Sequence, residues 1–107
     1  MTYGYIGSLR TRHGHRDEVV AILLRGVDGL RAAGCDLYLV GVPEDDSTVI
    51  WVTEVWRSKA DHDASLTTPE AQAAIASAMP LLTGEFTRQE LTMAGGLGLP
   101  EDHGADS

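Results

Sequence analysis

The sequence is poor in cysteine, in positive charge and in long apolar runs. Its one cysteine, Cys35, cannot form an intramolecular disulfide. Its 8 Lys and Arg residues stand against 16 Asp and Glu, and the net charge of -8 disfavours nucleic acid and anionic membrane surfaces as partners. No apolar run approaches the ~18 residues of a membrane span, and no basic segment followed by a long apolar stretch indicates a secretory signal. We therefore expect a soluble protein of the cytoplasm.

The chain is long enough for one domain with one hydrophobic core. It has 107 residues, of which 43% are hydrophobic, an ordinary proportion for a globular protein. We predict a folded domain over residues 1–94 and a Gly-rich, acidic tail over 95–107 that is mobile or lies on a partner. A domain of this size hides roughly two thirds of the surface of its unfolded chain, so a second subunit would add to a thin margin of stability.

The spacing of the apolar residues predicts the secondary structure. Alternation indicates strands, and recurrence at three and four residues indicates an amphipathic helix. The predicted order is a strand over 3–12, a helix over 16–33, strands over 35–43 and 48–56, helices over 59–66 and 69–79, and a strand over 86–93. This β-α-β-β-α-β order predicts an α+β, ferredoxin-like fold, in which a four-stranded antiparallel sheet carries its helices on one face.

The third predicted strand is apolar on both faces. Side chains alternate across a strand, so Val52 and Trp56 share one face with Glu54, while Trp51 and Val55 share the other. The helices of the same chain can cover only one of these faces. We therefore predict a homodimer in which a second copy covers the other face.

Two short motifs resemble those of a known family. Segment Glu54–Ser58 reads EVWRS and segment Leu66–Pro69 reads LTTP. Together they resemble the E-x-W-x-S and L-x-T-P signature of the antibiotic biosynthesis monooxygenase family, and the resemblance covers residues 4–94. It implies a quinol monooxygenase-like protein, whose ferredoxin-like chain dimerises into an α+β barrel.

The resemblance also implies a reaction and a place for it. Family members of this type oxidise phenols, hydroquinones or polyketide-type aromatics with O2, and they use no metal, flavin or other cofactor. By analogy the pocket lies between the sheet and the helices, so Glu54 and Trp56 face it and Trp51 faces the dimer barrel. Two alternatives stay open: a non-catalytic dimeric protein that binds a small ligand, and a cyclase or isomerase on the same barrel.

The chain departs from the family at several positions. Many relatives carry histidine where this chain has Ser65 and Glu70, and the nearest histidine is His62, about one helical turn before Ser65. The haem-degrading branch resembles the same fold but uses an Asn on the first strand and a haem-ligating His after the Trp. This chain has no Asn, and it has Gly7 and Leu66 at those two positions. We therefore exclude haem degradation.

Three residues are predicted to be catalytic. With the resemblance as guide, Trp56 and Tyr38 hold the aromatic ring, and His62 assists ionisation of its hydroxyl, since imidazole is available in both charged and neutral forms near pH 7. Structural alternatives stay open for each residue. His62 could be an exposed helix histidine between two acids, Trp56 could fill the core, and Tyr38 could be a packed strand tyrosine.

Four further residues are predicted to contact the substrate: Glu54, Tyr5, Gly7 and Ser65. A carboxylate on an apolar strand needs a partner, so Glu54 is either paired with an Arg or Lys or held in the pocket with a raised pKa. Tyr5 either orients a phenolic substrate or packs its ring. The two histidines of segment 13–15 lack a further ligand at a recognisable spacing, so we predict no metal site.

Overall fold

Four strands form one antiparallel sheet in the computed structural model, which describes residues 2–99. They are β1 (Thr2–Thr11), β2 (Cys35–Gly41), β3 (Val49–Trp56) and β4 (Leu82–Met93), in the order β2-β3-β1-β4. The helices are α1 (Arg16–Leu24), α2 (Leu30–Ala33), α3 (Lys59–Ser65) and α4 (Pro69–Ala78). This arrangement confirms the predicted α+β, ferredoxin-like fold. From residue 100 onward, the predicted tail lies outside the described residues.

The helix predicted over 16–33 is wrong as a single element. Helix α1 ends at Leu24, a 3-10 turn covers Val27–Gly29, and α2 is only four residues long. The break lies at Gly26, whose φ of 80° is left-handed and leaves the helical conformation. Glycine adopts this φ without a steric penalty, so the chain turns there. No helix within residues 2–99 has the length and apolar character needed to cross a membrane.

Strand β4 begins earlier than the predicted residue 86. Leu9 pairs with Phe86, but Thr11 pairs with Leu82, so two residues of β1 face four of β4 at this point. Gly84 lies in this irregularity with a φ of 94°. A left-handed glycine is typical of a β-bulge, which shifts the register without ending the strand. Gly84 therefore lies inside β4, and the strand starts at Leu82, four residues before the predicted start.

Two clusters of buried side chains cover the helix-facing side of the sheet. The larger joins α1 and α4 to β3 and to the start of β4, through Val19, Ile22, Ile50, Val52, Ala78 and Leu82. The smaller lies where β3 ends and contains Tyr3, Cys35 and Trp56, with Tyr5, Leu30 and Tyr38 packed against it. We call the smaller set the aromatic cluster. Tyr38 contacts both clusters and so connects them.

The opposite face of the sheet carries exposed apolar side chains. Leu39 is 54% exposed and Trp51 is 44% exposed. The strand register places Ile6 and Leu39 beside Thr53 on this face, next to Trp51 and opposite to the buried Val52. The predicted helix-covered face of β3 agrees with the buried Val52, and the predicted uncovered face agrees with the exposed Trp51. Val55 shares the face of Trp51 but is only 2% exposed, so this face is covered near the end of the strand.

Candidate active site

Strand register brings several predicted site residues together at the aromatic cluster. Tyr5 pairs with Glu54, and Glu54 pairs with Tyr38, so these three side chains form a row across β1, β3 and β2. Tyr3 pairs with Trp56 in the next row on the same face. Directly paired residues in antiparallel strands have neighbouring side chains on one face of the sheet. The row therefore places a carboxylate between two tyrosines.

Glu54 is a largely buried carboxyl group with few polar partners. Its side chain is 13% exposed, and the indole Nε1–H of Trp56 donates a hydrogen bond of 2.8 Å to its Oε1. Burial raises the pKa of Glu54, while the Trp56 hydrogen bond and the nearby His62 act in the opposite direction. Within residues 2–99 its ion-pair partner is His62, with Oε1 at 4.0 Å from Nε2. The alternative prediction of an Arg or Lys partner is therefore wrong.

His62 lies inside a ring of aromatic side chains. Its ring centroid is 5.2 Å from that of Tyr3, 5.5 Å from that of Tyr5 and 5.7 Å from that of Trp56. The Ser58 side chain caps the start of α3 by accepting a hydrogen bond from the backbone, and the first turn then directs His62 towards the sheet. The imidazole is only 11% exposed. The alternative of a solvent-exposed helix histidine is therefore wrong.

The next residue, Asp63, holds the other nitrogen of the imidazole. His62 Nδ1 lies 2.9 Å from Asp63 Oδ1. A carboxylate oxygen only accepts hydrogen bonds, so Nδ1 carries a proton in this contact. The Asp63 side chain is 58% exposed, whereas Glu54 on the Nε2 side is buried. His62 thus lies between a carboxylate in water and a carboxyl group in the site, an arrangement that the sequence analysis missed.

A polar bridge joins α3 to β4 beside the aromatic cluster. The Tyr3 hydroxyl donates a hydrogen bond of 3.0 Å to Glu90 Oε2, and Lys59 Nζ lies 3.0 Å from the same oxygen. Burial and then the Glu90 contacts raise the pKa of Tyr3 to about 12. The Lys59 and Tyr3 hydrogen bonds lower the pKa of Glu90. This role of Tyr3 was not predicted, because its partner Glu90 lies 87 positions away in the sequence and no local pattern connects the two.

A cleft opens between the 3-10 turn, α2 and the edge strand β2. Its volume is about 390 Å³, within the usual size of small-molecule pockets. Its lining includes Arg31, Cys35 and Tyr38. The Tyr38 hydroxyl makes no hydrogen bond within residues 2–99. Burial raises the pKa of this phenol, and the nearby Glu54 raises it further. Tyr38 therefore lies between the cleft on one side and Glu54 on the other.

The two remaining predicted residues occupy structural positions. A Cβ at Gly7 would lie 3.0 Å from the ring of Tyr5 and 2.8 Å from the backbone oxygen of Thr87, so glycine makes room for that ring. The Ser65 hydroxyl donates a hydrogen bond of 2.6 Å to the backbone oxygen of His62. Contact of Gly7 or Ser65 with a substrate stays a prediction.

The site provides proton-transfer groups next to apolar and aromatic walls. A carboxyl group, an imidazole and tyrosine hydroxyls can accept, donate or orient a proton. Within residues 2–99, no three His, Cys, Asp or Glu side chains lie together in a way that could hold a metal ion. The chemistry available from the chain itself is therefore acid-base chemistry and hydrogen bonding.

Comparisons with known proteins agree on one family. The family model described as Antibiotic biosynthesis monooxygenase matches residues 2–77. A solved structure from Chloroflexus aurantiacus J-10-fl that carries the same family name is 37% identical, covers 91% of this chain and 99% of that chain, and has a TM-score of 0.76.

Two more distant structures share the fold. Rv0793 from Mycobacterium tuberculosis is 21% identical, with 91% of this chain and 99% of that chain covered and a TM-score of 0.77. A structure from Caulobacter crescentus CB15 with the family name is 20% identical, with 88% and 91% covered and a TM-score of 0.79. No curated protein matches the chain.

Proposed function

Because the chain belongs to the antibiotic biosynthesis monooxygenase family, we propose that it oxidises a small phenolic, hydroquinone or polyketide-type aromatic substrate with O2. The observation that carries this proposal is the buried pair of His62 and Glu54 within aromatic walls. Such a site can ionise a phenol in surroundings from which water is largely excluded. A deprotonated hydroquinone or other dihydroxyaromatic is electron-rich enough to reduce O2 once the protein has bound and ionised it.

In this proposal the substrate ring enters the cleft at β2 and lies against Tyr38. The Tyr38 hydroxyl, which is unpaired within the described part of the chain, offers a hydrogen-bonding group to a substrate hydroxyl. Trp56 is only 1% exposed, so we assign it a different role from the predicted stacking on the substrate. Its indole N–H holds the Glu54 carboxyl group in place.

The proposed reaction removes a proton, adds O2 and releases water. His62 takes the hydroxyl proton of the substrate, and the O–H electron pair moves into the ring. O2 then adds to an activated ring carbon that bears a hydrogen, and the resulting peroxide anion takes the proton back from His62 to give a hydroperoxide. Loss of that hydrogen as a proton, with cleavage of the O–O bond, leaves one oxygen as a quinone carbonyl and releases the other as water. The protein supplies position and proton transfer, and O2 is the oxidant.

We also propose that the protein is a cytoplasmic homodimer. The uncovered sheet face with Leu39 and Trp51 supports a second copy as its partner. Light scattering at micromolar concentration tests this proposal, and a mass of about 11.5 kDa, that of one chain, would contradict it. The cytoplasm is proposed because the single thiol of Cys35 is buried and suits a reducing compartment.

Oxygen uptake is the direct test of the activity. Metal-stripped protein is mixed with a panel of hydroquinones and anthrones in an oxygen electrode, and autoxidation is subtracted. We expect protein-dependent uptake with quinone formation, and a loss of about 100-fold or more in His62→Ala, the usual contribution of general acid-base catalysis. His15→Ala is the matched control, because His15 is an exposed histidine that also contacts a carboxylate. Equal uptake by both variants would remove His62 from the reaction.

A ligand-binding protein without catalysis is the second candidate. It is favoured by one observation: the cleft borders Tyr38, whereas His62 is not among its lining residues. No oxygen uptake across the panel, together with a ligand-dependent change in tryptophan fluorescence, would favour this function over the monooxygenase. A cyclase or isomerase would convert its substrate without oxygen, so the same panel under nitrogen separates it from both.

A further inference from the structure

His62 makes two different carboxyl contacts. Asp63 Oδ1 accepts from Nδ1 at 2.9 Å and faces water, while Glu54 Oε1 lies 4.0 Å from Nε2 inside the site. The bond that one ring nitrogen makes decides which nitrogen carries the proton in neutral histidine. With the proton held on Nδ1 by Asp63, the lone pair of Nε2 is directed into the site. This is the nitrogen that faces Glu54, and a shortening of their 4.0 Å separation by about 1 Å would bring the two groups within hydrogen-bond distance.

The other groups around the imidazole do not compete for that lone pair. Tyr3 donates its hydroxyl proton away from His62, to Glu90. The Tyr5 hydroxyl oxygen lies over Gly7, 3.2 Å from where a Cβ would be. Trp56 donates to Glu54 and has no second N–H. The facing elements β1, β3 and α3 therefore leave Glu54 as the proton partner of Nε2.

We propose that Asp63 is a positioning residue: it fixes His62 in the tautomer with a bare Nε2, so that His62 and Glu54 hold one exchangeable proton between them. This inference rests on the proposed function where it assigns a use to that proton. The substrate O–H bond breaks, and its proton forms an N–H bond at Nε2. Asp63 and Glu54 balance the positive charge of the imidazolium. The same proton then goes to the oxygen that leaves the hydroperoxide as water.

The chain contains its own comparison for this arrangement. His15 Nδ1 contacts Glu18 Oε1 at 3.1 Å, nearly the same bond, but the two side chains are 45% and 61% exposed. Water competes for both nitrogens of an exposed histidine, so His15 should exist as a mixture of tautomers. A buried ring with one fixed acceptor should not.

Nitrogen NMR of the full, ligand-free chain tests the inference. With ¹⁵N-labelled histidine above neutral pH, we expect His62 to be mainly the Nδ1–H form in the unsubstituted protein. Asp63→Ala should lose this preference, and Asp63→Asn should restore it, because its amide oxygen still accepts from Nδ1. Glu18→Ala is the matched control and should leave His62 unchanged. An unchanged tautomer in Asp63→Ala, or no rescue by Asp63→Asn, would overturn the positioning role.

The indole N–H resonance of Trp56 gives a second readout. It reports the ionisation of Glu54, because the two groups are hydrogen-bonded, and Trp51 on the other face serves as the reference. In Asp63→Ala the neutral imidazole can carry its proton on Nε2, where it stabilises the Glu54 carboxylate. The pH-dependent change of the Trp56 indole resonance should therefore move to lower pH. An unmoved transition would overturn the shared proton. Both spectra need no substrate, so absent oxygen uptake with the expected spectra would contradict only the proposed function.

Discussion

Two carboxyl groups near opposite ends of β3 respond to their surroundings in opposite ways. Asp46, in the loop before β3, accepts hydrogen bonds from Thr48 and contacts Arg10 at 3.1 Å. The Thr48 hydrogen bonds and then Arg10 lower the pKa of Asp46 to about 2. Glu54, near the other end, has its pKa raised by burial. The same functional group therefore stabilises the fold as an anion at one end and is held ready to take a proton at the other.

The pKa values of Asp46 and Glu54 shift in opposite directions because the two groups differ in solvent exposure and in the number of hydrogen-bond donors around them. Asp46 is partly exposed and has several donors, so its charge is well solvated. Among residues 2–99, Glu54 has one close donor, the indole of Trp56, which belongs to the aromatic cluster. A protein that needs a proton acceptor near an aromatic substrate gains from the second kind of site, although a buried charge lowers the stability of the fold.

Removal of the indole that holds Glu54 should have the largest effect. Trp56→Ala leaves a cavity where a side chain is 1% exposed, and we expect a loss of about 3–5 kcal/mol in the free energy of unfolding. Urea denaturation measures it. The matched control is Phe86→Ala, since Phe86 is an aromatic residue that is 55% exposed. Similar losses in the two variants would mean that the aromatic cluster is no better packed than the edge of the sheet.

A methyl group at Gly34 should disturb the same end of the sheet. Gly34 has a φ of 111°, and a Cβ there would lie 2.5 Å from Asp61 Oδ2. We expect Gly34→Ala to cost about 1–3 kcal/mol in unfolding free energy. Gly41→Ala is the control, with no atom within 4 Å of its Cβ position, and should change stability by less than about 0.5 kcal/mol. A harmless Gly34→Ala would show that α3 can move away from β2.

Glu54→Gln should change how stability depends on pH. A raised folded pKa means that the native state binds the proton more tightly, so the favourable contribution of Glu54 is present at low pH and lost as pH rises through the folded pKa. The glutamine side chain does not titrate. The stability of Glu54→Gln relative to that of the unsubstituted protein should therefore increase as pH rises towards 7. Thermal unfolding across this range measures the difference. A constant difference at every pH would contradict the burial of a titrating carboxyl group.

Asp46→Asn should have the smallest effect on stability, with a pH dependence opposite in sign to that of Glu54→Gln. In the folded protein the pKa of Asp46 is lowered to about 2, below its value near 4 in the unfolded chain. The stabilising contribution of Asp46 is therefore present above about pH 4 and is lost as pH falls towards 2. The variant should be slightly less stable than the unsubstituted protein at pH 7 and equal to it at about pH 2. Asp45→Asn, at the exposed neighbouring residue, controls for loss of charge in the loop. If the two variants behave alike, the Asp46 contacts do not stabilise the loop.

The parts of the fold that depend on local signals were predictable. Ser58 and Thr68, each directly before a predicted helix, accept hydrogen bonds from backbone N–H groups three residues later, as N-cap residues of this type do. Gly34 follows the predicted helix end at residue 33 and adopts the left-handed conformation that is common there. The period of two in β3 also separated the buried Ile50 from the exposed Trp51. Each of these signals is contained within a few residues.

The parts that depend on distant contacts were not predictable. His62 lies between two acids in the sequence, a pattern typical of a solvated helix face, and only the packing of α3 against β1 and β3 buries its ring. The strand register that places Tyr3 beside Trp56 joins segments about half the chain apart. Gly26 could equally have stayed in a helix at a modest cost, and tertiary structure decides that it does not.

The central place of β1 in the sheet has a consequence for biosynthesis. Tyr3 and Glu90, joined across β1 and β4, are 87 positions apart. The ribosome releases β1 before its two neighbours exist, so this strand waits, with both backbone edges unpaired, for β3 and then for β4. Pairing of strands over such sequence separations is slow, and it leaves unpaired strand edges exposed that promote aggregation. The β2–β3 hairpin is the first pair that can close locally, so it is the natural template on which the nascent sheet assembles.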